Sequence, residues 1–135
     1  MSEDAGHEIQ VAIVTALKAD SDVAAMTGGR VYDRVPANAE YPYISFGPEQ
    51  DIPEDADCIE ASEIILQIDV WSQDPGFREA RRVGKAVKRA LTEDAITLAD
   101  NALVYFEYDG RRVLRDPDGN TSHVVLTFRA GVEHH

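Results

Sequence analysis

Residues 62–72 read Ser-Glu-Ile-Ile-Leu-Gln-Ile-Asp-Val-Trp-Ser. Ile64, Leu66, Ile68 and Val70 occupy alternate positions, and Glu63, Gln67 and Asp69 fall on the other parity. Ile65 and Trp71 are the exceptions. A strand sends successive side chains to opposite faces, so this period gives one apolar and one mostly polar face. The β-branched residues suit a pleated, half-buried surface. The spacing predicts a central strand of an antiparallel sheet whose apolar face is covered by helices.

Outward from that strand, the segment 3–19 reads as a helix. Ile9, Ala12, Ile13, Ala16 and Leu17 form its apolar stripe, Val11 and Val14 lie off it, and Ser2 or Asp4 caps it. Asp20-Ser21 starts a short further turn that ends at Gly28-Gly29. A short extended segment at 30–34 and a strand at 42–48 follow, with Pro42 at the strand's first residue. Residues 48–61 hold six carboxylates and two prolines, and are read as a mobile acidic loop.

Beyond the central strand, Asp74-Pro75 looks like a helix N-cap followed by a favoured first residue, opening a helix to about Leu91. Phe77, Ala80, Gly84, Val87 and Leu91 mark its apolar stripe. Arg78, Arg82, Lys85 and Arg89 lie roughly opposite, flanked by Arg81 and Lys88. This one helix thus holds six of the 13 basic residues. Ile96 and Leu98 anchor a connection. Asp109-Gly110 reads as a two-residue hairpin turn joining strands 103–108 and 111–116. Asp116–Asn120 is another turn, before a last strand, 121–131, with Val124, Leu126, Phe128 and Ala130 on one face. The element order is α-(α)-β-β-α-β-β-β. The expected fold class is α+β: a small antiparallel sheet with two main helices on one face, plus a C-terminal β-hairpin region.

The length of 135 residues fits one domain, taken as 1–133. His134 and His135 are read as a purification-tag remnant. A single cysteine, Cys58, rules out an internal disulfide framework and fits a reducing compartment. No apolar run approaches the roughly 20 residues of a membrane span, and the acidic N-terminus does not resemble a secretory signal. The net charge of −12 comes from residues 1–76, and the remainder is close to balanced. Such acidity disfavours nucleic-acid binding.

Chemistry-bearing motifs are scarce. Asp116, Asp118, Asn120 and Ser122 resemble the front of a calcium loop, but Thr121 and Thr127 stand where glycine and a bidentate acid belong. Cys58 sits among carboxylates that disfavour its thiolate. Ser122 and His123 are strand neighbours on opposite faces and cannot pair. Trp71, Tyr43 and Tyr105 fit ligand stacking or, more often, packing. No catalytic, metal-binding or cofactor-binding residues are assigned, no cofactor is expected, and an enzyme is the least favoured class. The basic face of Arg78, Arg82, Lys85 and Arg89 suits either solvent or the acidic Asp51, Glu54, Asp55 and Asp57 of a neighbouring copy. Such a heterologous contact generates rings when its rotation closes.

Gly29-Arg-Val-Tyr-Asp-Arg-Val-Pro36 followed by Tyr41-Pro-Tyr-Ile44 resembles the signature of phage tail completion proteins, also called tail terminators. Gln67-Ile-Asp-Val-Trp-Ser72 and the closing Ser122–Ala130 are similar to later parts of that family. The resemblance rests on the order of these pieces over residues 9–131. Its signature positions are Gly29, Arg30, Tyr32, Asp33, Pro36, Tyr41, Pro42, Tyr43 and Trp71. The family occurs in siphophages, prophages and gene transfer agents. The resemblance implies a non-enzymatic virion protein of the tail-neck region, made in the bacterial cytoplasm. It implies a subunit that caps the tail tube as a hexameric ring and that can be monomeric when free. The implied partners are the major tail tube protein and head–tail stopper or connector proteins, with DNA passing through the lumen unbound and no membrane contact. The alternatives are a head–tail connector or stopper and, in another class, a small-ligand-binding regulatory module.

Overall fold

The computed structural model describes residues 3–135. Its elements are α1 (Ala5–Ala19), α2 (Ser21–Thr27), β1 (Val31–Tyr32), β2 (Tyr43–Pro53), β3 (Ala61–Ser72), α3 (Arg78–Ala90), a 3₁₀ turn (Glu93–Ala95), β4 (Ala102–Arg115) and β5 (Ser122–Glu133). The sheet order is β1-β2-β3-β5-β4, so β3 is central as its sequence predicts. All neighbours are antiparallel except β1 and β2, which pair in parallel at two residues.

The apolar parity of β3 meets that of β5. Ile64 pairs with Ala130, Leu66 with Phe128, Ile68 with Leu126 and Val70 with Val124. Paired residues share a face, and this face packs under α1 and α3. Ile9, Ile13 and Leu17 of α1 and Val83 and Val87 of α3 are fully or almost fully buried there. Of the two valines off the α1 stripe, Val11 is 51% exposed, whereas Val14 is partly buried against the core.

Local chemistry sets the helix ends. Asp4 caps α1 by accepting from the His7 N–H at 3.0 Å; Ser2, the other proposed cap, lies outside the described residues. Asp20 accepts from the Asp22 and Val23 N–H groups and opens α2. Gly28 ends α2 in the left-handed conformation.

Three sequence expectations are corrected. The segment 48–61 is not a loop throughout, because β2 continues to Pro53 and pairs with β3 as far as Ser62. Gly47 and Pro48 together oppose Gln67, a bulge that absorbs the proline without ending the strand. The remaining residues form a compact turn. Ala56 and Ile59 exchange backbone hydrogen bonds, and Asp55 accepts from the Ala61 N–H at 3.0 Å.

The second correction concerns Asp109-Gly110, which makes no hairpin. β5 runs unbroken from Ser122 to Glu133 and offers partners to both halves of β4. The two residues oppose Thr127 alone as a bulge, and β4 continues as one strand. The third is that α3 begins at Arg78, with no side-chain cap. Gly76 has φ +78°, which breaks any helix started at Asp74-Pro75. Instead the Asp74 N–H donates to Ser72 Oγ, and Ser122 Oγ donates to the Gly76 carbonyl. The C-terminal hairpin does exist, formed by β4 and β5 around 116–121. There Asp118 accepts from the Asn120 and Thr121 N–H groups and the Thr121 hydroxyl.

One clamp ties the chain's early and late parts. The Glu8 carboxylate accepts from the N–H groups of Ala99, Asp100 and Asn101 at 2.7–3.0 Å and from Asn101 Nδ2 at 3.2 Å. Desolvation pushes the Glu8 carboxyl up, but the donors together outweigh it and hold the group below its ordinary value. At the C-terminal end, the His134 N–H donates to the Glu60 carbonyl and its ring Nε2 lies 2.7 Å from Ser62 Oγ.

Two outcomes follow from this packing. A depressed carboxyl stabilises the fold above its unfolded pKa, and that stability is lost as pH falls through the folded pKa. Glu8→Gln is therefore expected to lower stability at neutral pH, with the deficit shrinking in acid below the ordinary glutamate range. A deficit independent of pH in urea titrations would contradict the ionic clamp. The Tyr105 ring lies over Gly131, where an added Cβ would meet the Tyr105 side chain. Gly131→Ala is expected to cost about 1–3 kcal/mol, measured by urea unfolding, and a neutral result would show that the ring moves freely.

Candidate functional site

The sheet face opposite the helices carries polar and aromatic side chains in two groups. In the first, Asp69 is 4% exposed and lies 2.6 Å from His123 Nε2, while Gln67 Nε2 donates to it at 3.0 Å. Trp71 stacks on the His123 ring at 3.7 Å between centroids and donates its indole N–H to Ser45 Oγ at 3.0 Å. The register explains this set, since Ser45 pairs with Asp69 and Trp71 pairs with His123. Tyr43 continues it towards the sheet edge, 6.4 Å from Trp71, with Tyr41 and Tyr32 packed on Tyr43. Burial, with the neighbouring Tyr41, Asp116 and Tyr32, pushes the Tyr43 hydroxyl up to about 12.

In the second group, Glu63 accepts from Tyr105 Oη at 2.6 Å and from Arg129 Nη1 at 2.7 Å. Arg129 Nε also donates to Asp109 at 3.1 Å. The bond to Glu63 pushes Tyr105 up to about 12, and the Tyr105 and Arg129 donors hold Glu63 below its ordinary value.

Most signature residues sit at one sheet edge. Arg30 Nε donates to the Pro42 carbonyl at 3.1 Å, its Nη2 reaches the Tyr41 carbonyl at 3.5 Å, and the Ile44 N–H donates to the Arg30 carbonyl. Gly29 takes φ +80° just before β1. Tyr32, Tyr41, Tyr43 and Trp71 form the aromatic row above, and Asp33 and Pro36 lie exposed in the connection. The signature thus builds the β1–β2 edge; Tyr43, Trp71 and Tyr105 are occupied with packing and hydrogen bonds inside the chain.

The Asp69–His123 pair lacks the geometry of an activated nucleophile. Ser122, beside His123 in sequence, points to the other face and donates to Gly76. Ser45 Oγ already accepts from Trp71. Among the described residues, no group of three or more His, Cys, Asp or Glu side chains converges as a metal site, and no helix is long and apolar enough to cross a membrane.

Two clefts flank α3. The first, about 360 Å³, is lined by Met26, Asp74, Arg78, Glu79, Arg82 and Val83. The second, about 440 Å³, is lined by Arg81, Arg82, Gly84, Lys85, Lys88, Tyr108 and Arg111. Neither includes Trp71, Tyr41 or Tyr43. Arg78, Arg82, Lys85 and Arg89 are all exposed, as are Asp51, Glu54, Asp55 and Asp57. The two sets are not brought together within the chain. The acidic residues lie on the end of β2 and the turn before Ala61. The basic helix packs near the other end of β3, where Gly84 approaches Val124, the partner of Val70.

Residues 11–133 match the family described as Tail completion protein gp17. The chain belongs to this family of tail completion proteins. Its members are structural components of the virion tail. A chain in the virion of a native gene transfer agent particle is similar at 28% identity, with a TM-score of 0.89 over 98% of this chain and 99% of that one. The gp17 protein of bacteriophage SPP1 shares the fold, with a TM-score of 0.62 and 22% identity over 93% of this chain and 89% of that one. No curated protein matches the chain.

For a tail completion protein, the Asp69 network reads as a rigid sheet face. Replacing Asp69 by Ala leaves His123 and Gln67 without their shared acceptor, an expected cost of about 1–3 kcal/mol. The emission of Trp71, the only tryptophan, reports this directly during urea unfolding. An unchanged midpoint would mean the network contributes nothing to the fold.

Proposed function

We propose that this chain closes the end of a tail tube as a ring, ends tube elongation and presents a surface on which the head is joined. The observation that carries this reading is the end-to-end likeness to a chain of a gene transfer agent virion, at a TM-score of 0.89. In this reading residues 1–133 act as one domain. Its partners are other copies of the same chain, the tail tube protein and a head-side stopper or connector.

The distribution of charge supports assembly. The exposed cations of α3 and the exposed carboxylates around residue 55 sit on separate parts of one subunit, and among the described residues neither set forms an ion pair within it. A second copy satisfies both at once, by a heterologous contact. Net acidity also suits a channel for DNA, because an anionic lumen repels phosphates and gives the duplex no place to lodge. The protein itself then transforms no molecule. A ligand-binding module is less well supported, because the aromatic row is filled by its own contacts.

Removal of the gene tests this reading. Electron micrographs of particles made without the protein are expected to show tails of irregular length, with few joined to heads. Tails of uniform, normal length joined efficiently to heads would refute it.

A further inference from the structure

Among the described residues, the lining of the cleft between α3 and β4 holds no carboxylate. Arg81, Arg82, Lys85 and Lys88 project from α3, and Arg111 enters from β4, where it pairs with Leu126 on the helix-covered face. Arg111 Nη1 donates to the Arg81 carbonyl at 3.5 Å, and the Lys88 ammonium lies 4.5 Å from the centre of the Tyr108 ring. Among the described residues none of these five cations is within ion-pair distance of a carboxylate. Five like charges around one cleft repel each other, so an anion with several charges is the ligand that suits it. The first cleft differs, since Asp74 and Glu79 there face Arg78 and Arg82.

The β2–β3 turn has the matching chemistry. Glu54, Asp55, Asp57 and Glu60 are all exposed. The Ala56–Ile59 hydrogen bonds and the Asp55 side chain hold the turn in shape, with Cys58 in the left-handed conformation at its tip. A turn already ordered loses little entropy on docking. It cannot reach the cleft of its own subunit. Arg111 is level with Ile68 across β5, seven residues along β3 from Ala61, or about 23 Å at ~3.3 Å per residue.

We propose that this cleft receives the Glu54–Glu60 turn of the adjacent copy. The proposal rests on the ring-forming reading above and gives it a specific head-to-tail contact, with Arg81, Lys85, Lys88 and Arg111 as the receiving groups. Carboxylates are favoured over nucleic-acid phosphates as the occupant because the chain as a whole carries a charge of −12, which opposes the approach of a duplex.

The chain carries its own probes. Cys58 is its single cysteine, and Lys18, Lys85 and Lys88 are its only lysines. A thiol–amine cross-linker with a reach of about 10 Å, shorter than the separation within one subunit, is added to protein assembled on tail tubes. The expected product is a ladder of covalent oligomers whose linked peptides join Cys58 to Lys85 or Lys88. Links to Lys18 alone, or no links between copies in a ring verified by its mass, would overturn the contact while leaving the ring intact. A failure to form any ring would instead count against the reading on which it rests.

A charge swap gives a second test. Lys85→Glu with Lys88→Glu is expected to raise the concentration needed for assembly at least tenfold. Adding Asp55→Lys and Asp57→Lys in the same chain should restore it. If the swap fails to restore assembly although each variant unfolds in urea like the parent, the pairing is wrong. Tight binding of duplex DNA at physiological salt, lost in the lysine variant, would assign the cleft to phosphates and overturn the proposal.

Discussion

An unbroken pairing of β3 with β5, from Ala61–Glu133 to Ser72–Ser122, is the interaction on which the rest depends. It aligns two apolar parities so that Ile64, Ile68, Val70, Val124, Leu126, Phe128 and Ala130 are fully buried together. Truncating any one of the larger of these typically costs 2–5 kcal/mol, a large part of a domain's net stability. A one-residue slip would turn this whole set onto the opposite face. The same register fixes the other face as well, because Asp69 meets His123 and Glu63 meets Arg129 only in this alignment.

The sheet therefore separates two kinds of work. Its helix side supplies nearly all the apolar burial and sets the position of α3. Its open side is held by hydrogen bonds and stacked rings, which need directional partners rather than volume. The satisfied state of that side matters for function. Asp69, Glu63 and Trp71 are consumed by neighbours in the chain, whereas among the described residues the cations on α3 and the carboxylates near residue 55 have no opposite charge within ion-pair distance. Unmatched charge on a rigid frame favours contact with another molecule of opposite charge.

Much of this was legible in the sequence where a periodic signal was strong. The alternation of 62–72 and of 124–130 located the two central strands, and the α1 stripe of Ile9, Ile13 and Leu17 located its buried face. Punctuation by glycine and proline misled. Gly47-Pro48 and Asp109-Gly110 read as breaks, because a bulge and a turn use the same residues. Only the partner strand decides between them, and β3 and β5 continue past both sites. At Asp74-Pro75 the expected cap lost to Gly76 and to the Ser72 and Ser122 hydroxyls, one of which comes from 46 residues further along the chain.

The proposed contact surfaces were legible in part. The exposed basic face of α3 and the acidic residues 51–57 stand out by charge alone, and the signature residues Arg30, Tyr32, Tyr41, Tyr43 and Trp71 carried the family resemblance. What escaped were groupings made by pairing between strands. Asp69 and His123 lie on matching parities, but 54 residues separate them, and nothing local ties one to the other. Arg111 likewise joins the α3 cations only because the bulge at 109–110 keeps it on the helix side of β4. The Glu8 clamp on 99–101 gives no sequence signal, since its donors are backbone N–H groups that any residue supplies.

We infer that this subunit works by closing on copies of itself at the end of a tube. Electron cryomicroscopy of intact particles, focused on the junction of head and tail, measures this most directly. The expected result is a closed ring of this fold on the head-proximal end of the tube, with each subunit touching its neighbours by two different surfaces. A single copy at the junction, or copies joined by one surface about a two-fold axis, would contradict it.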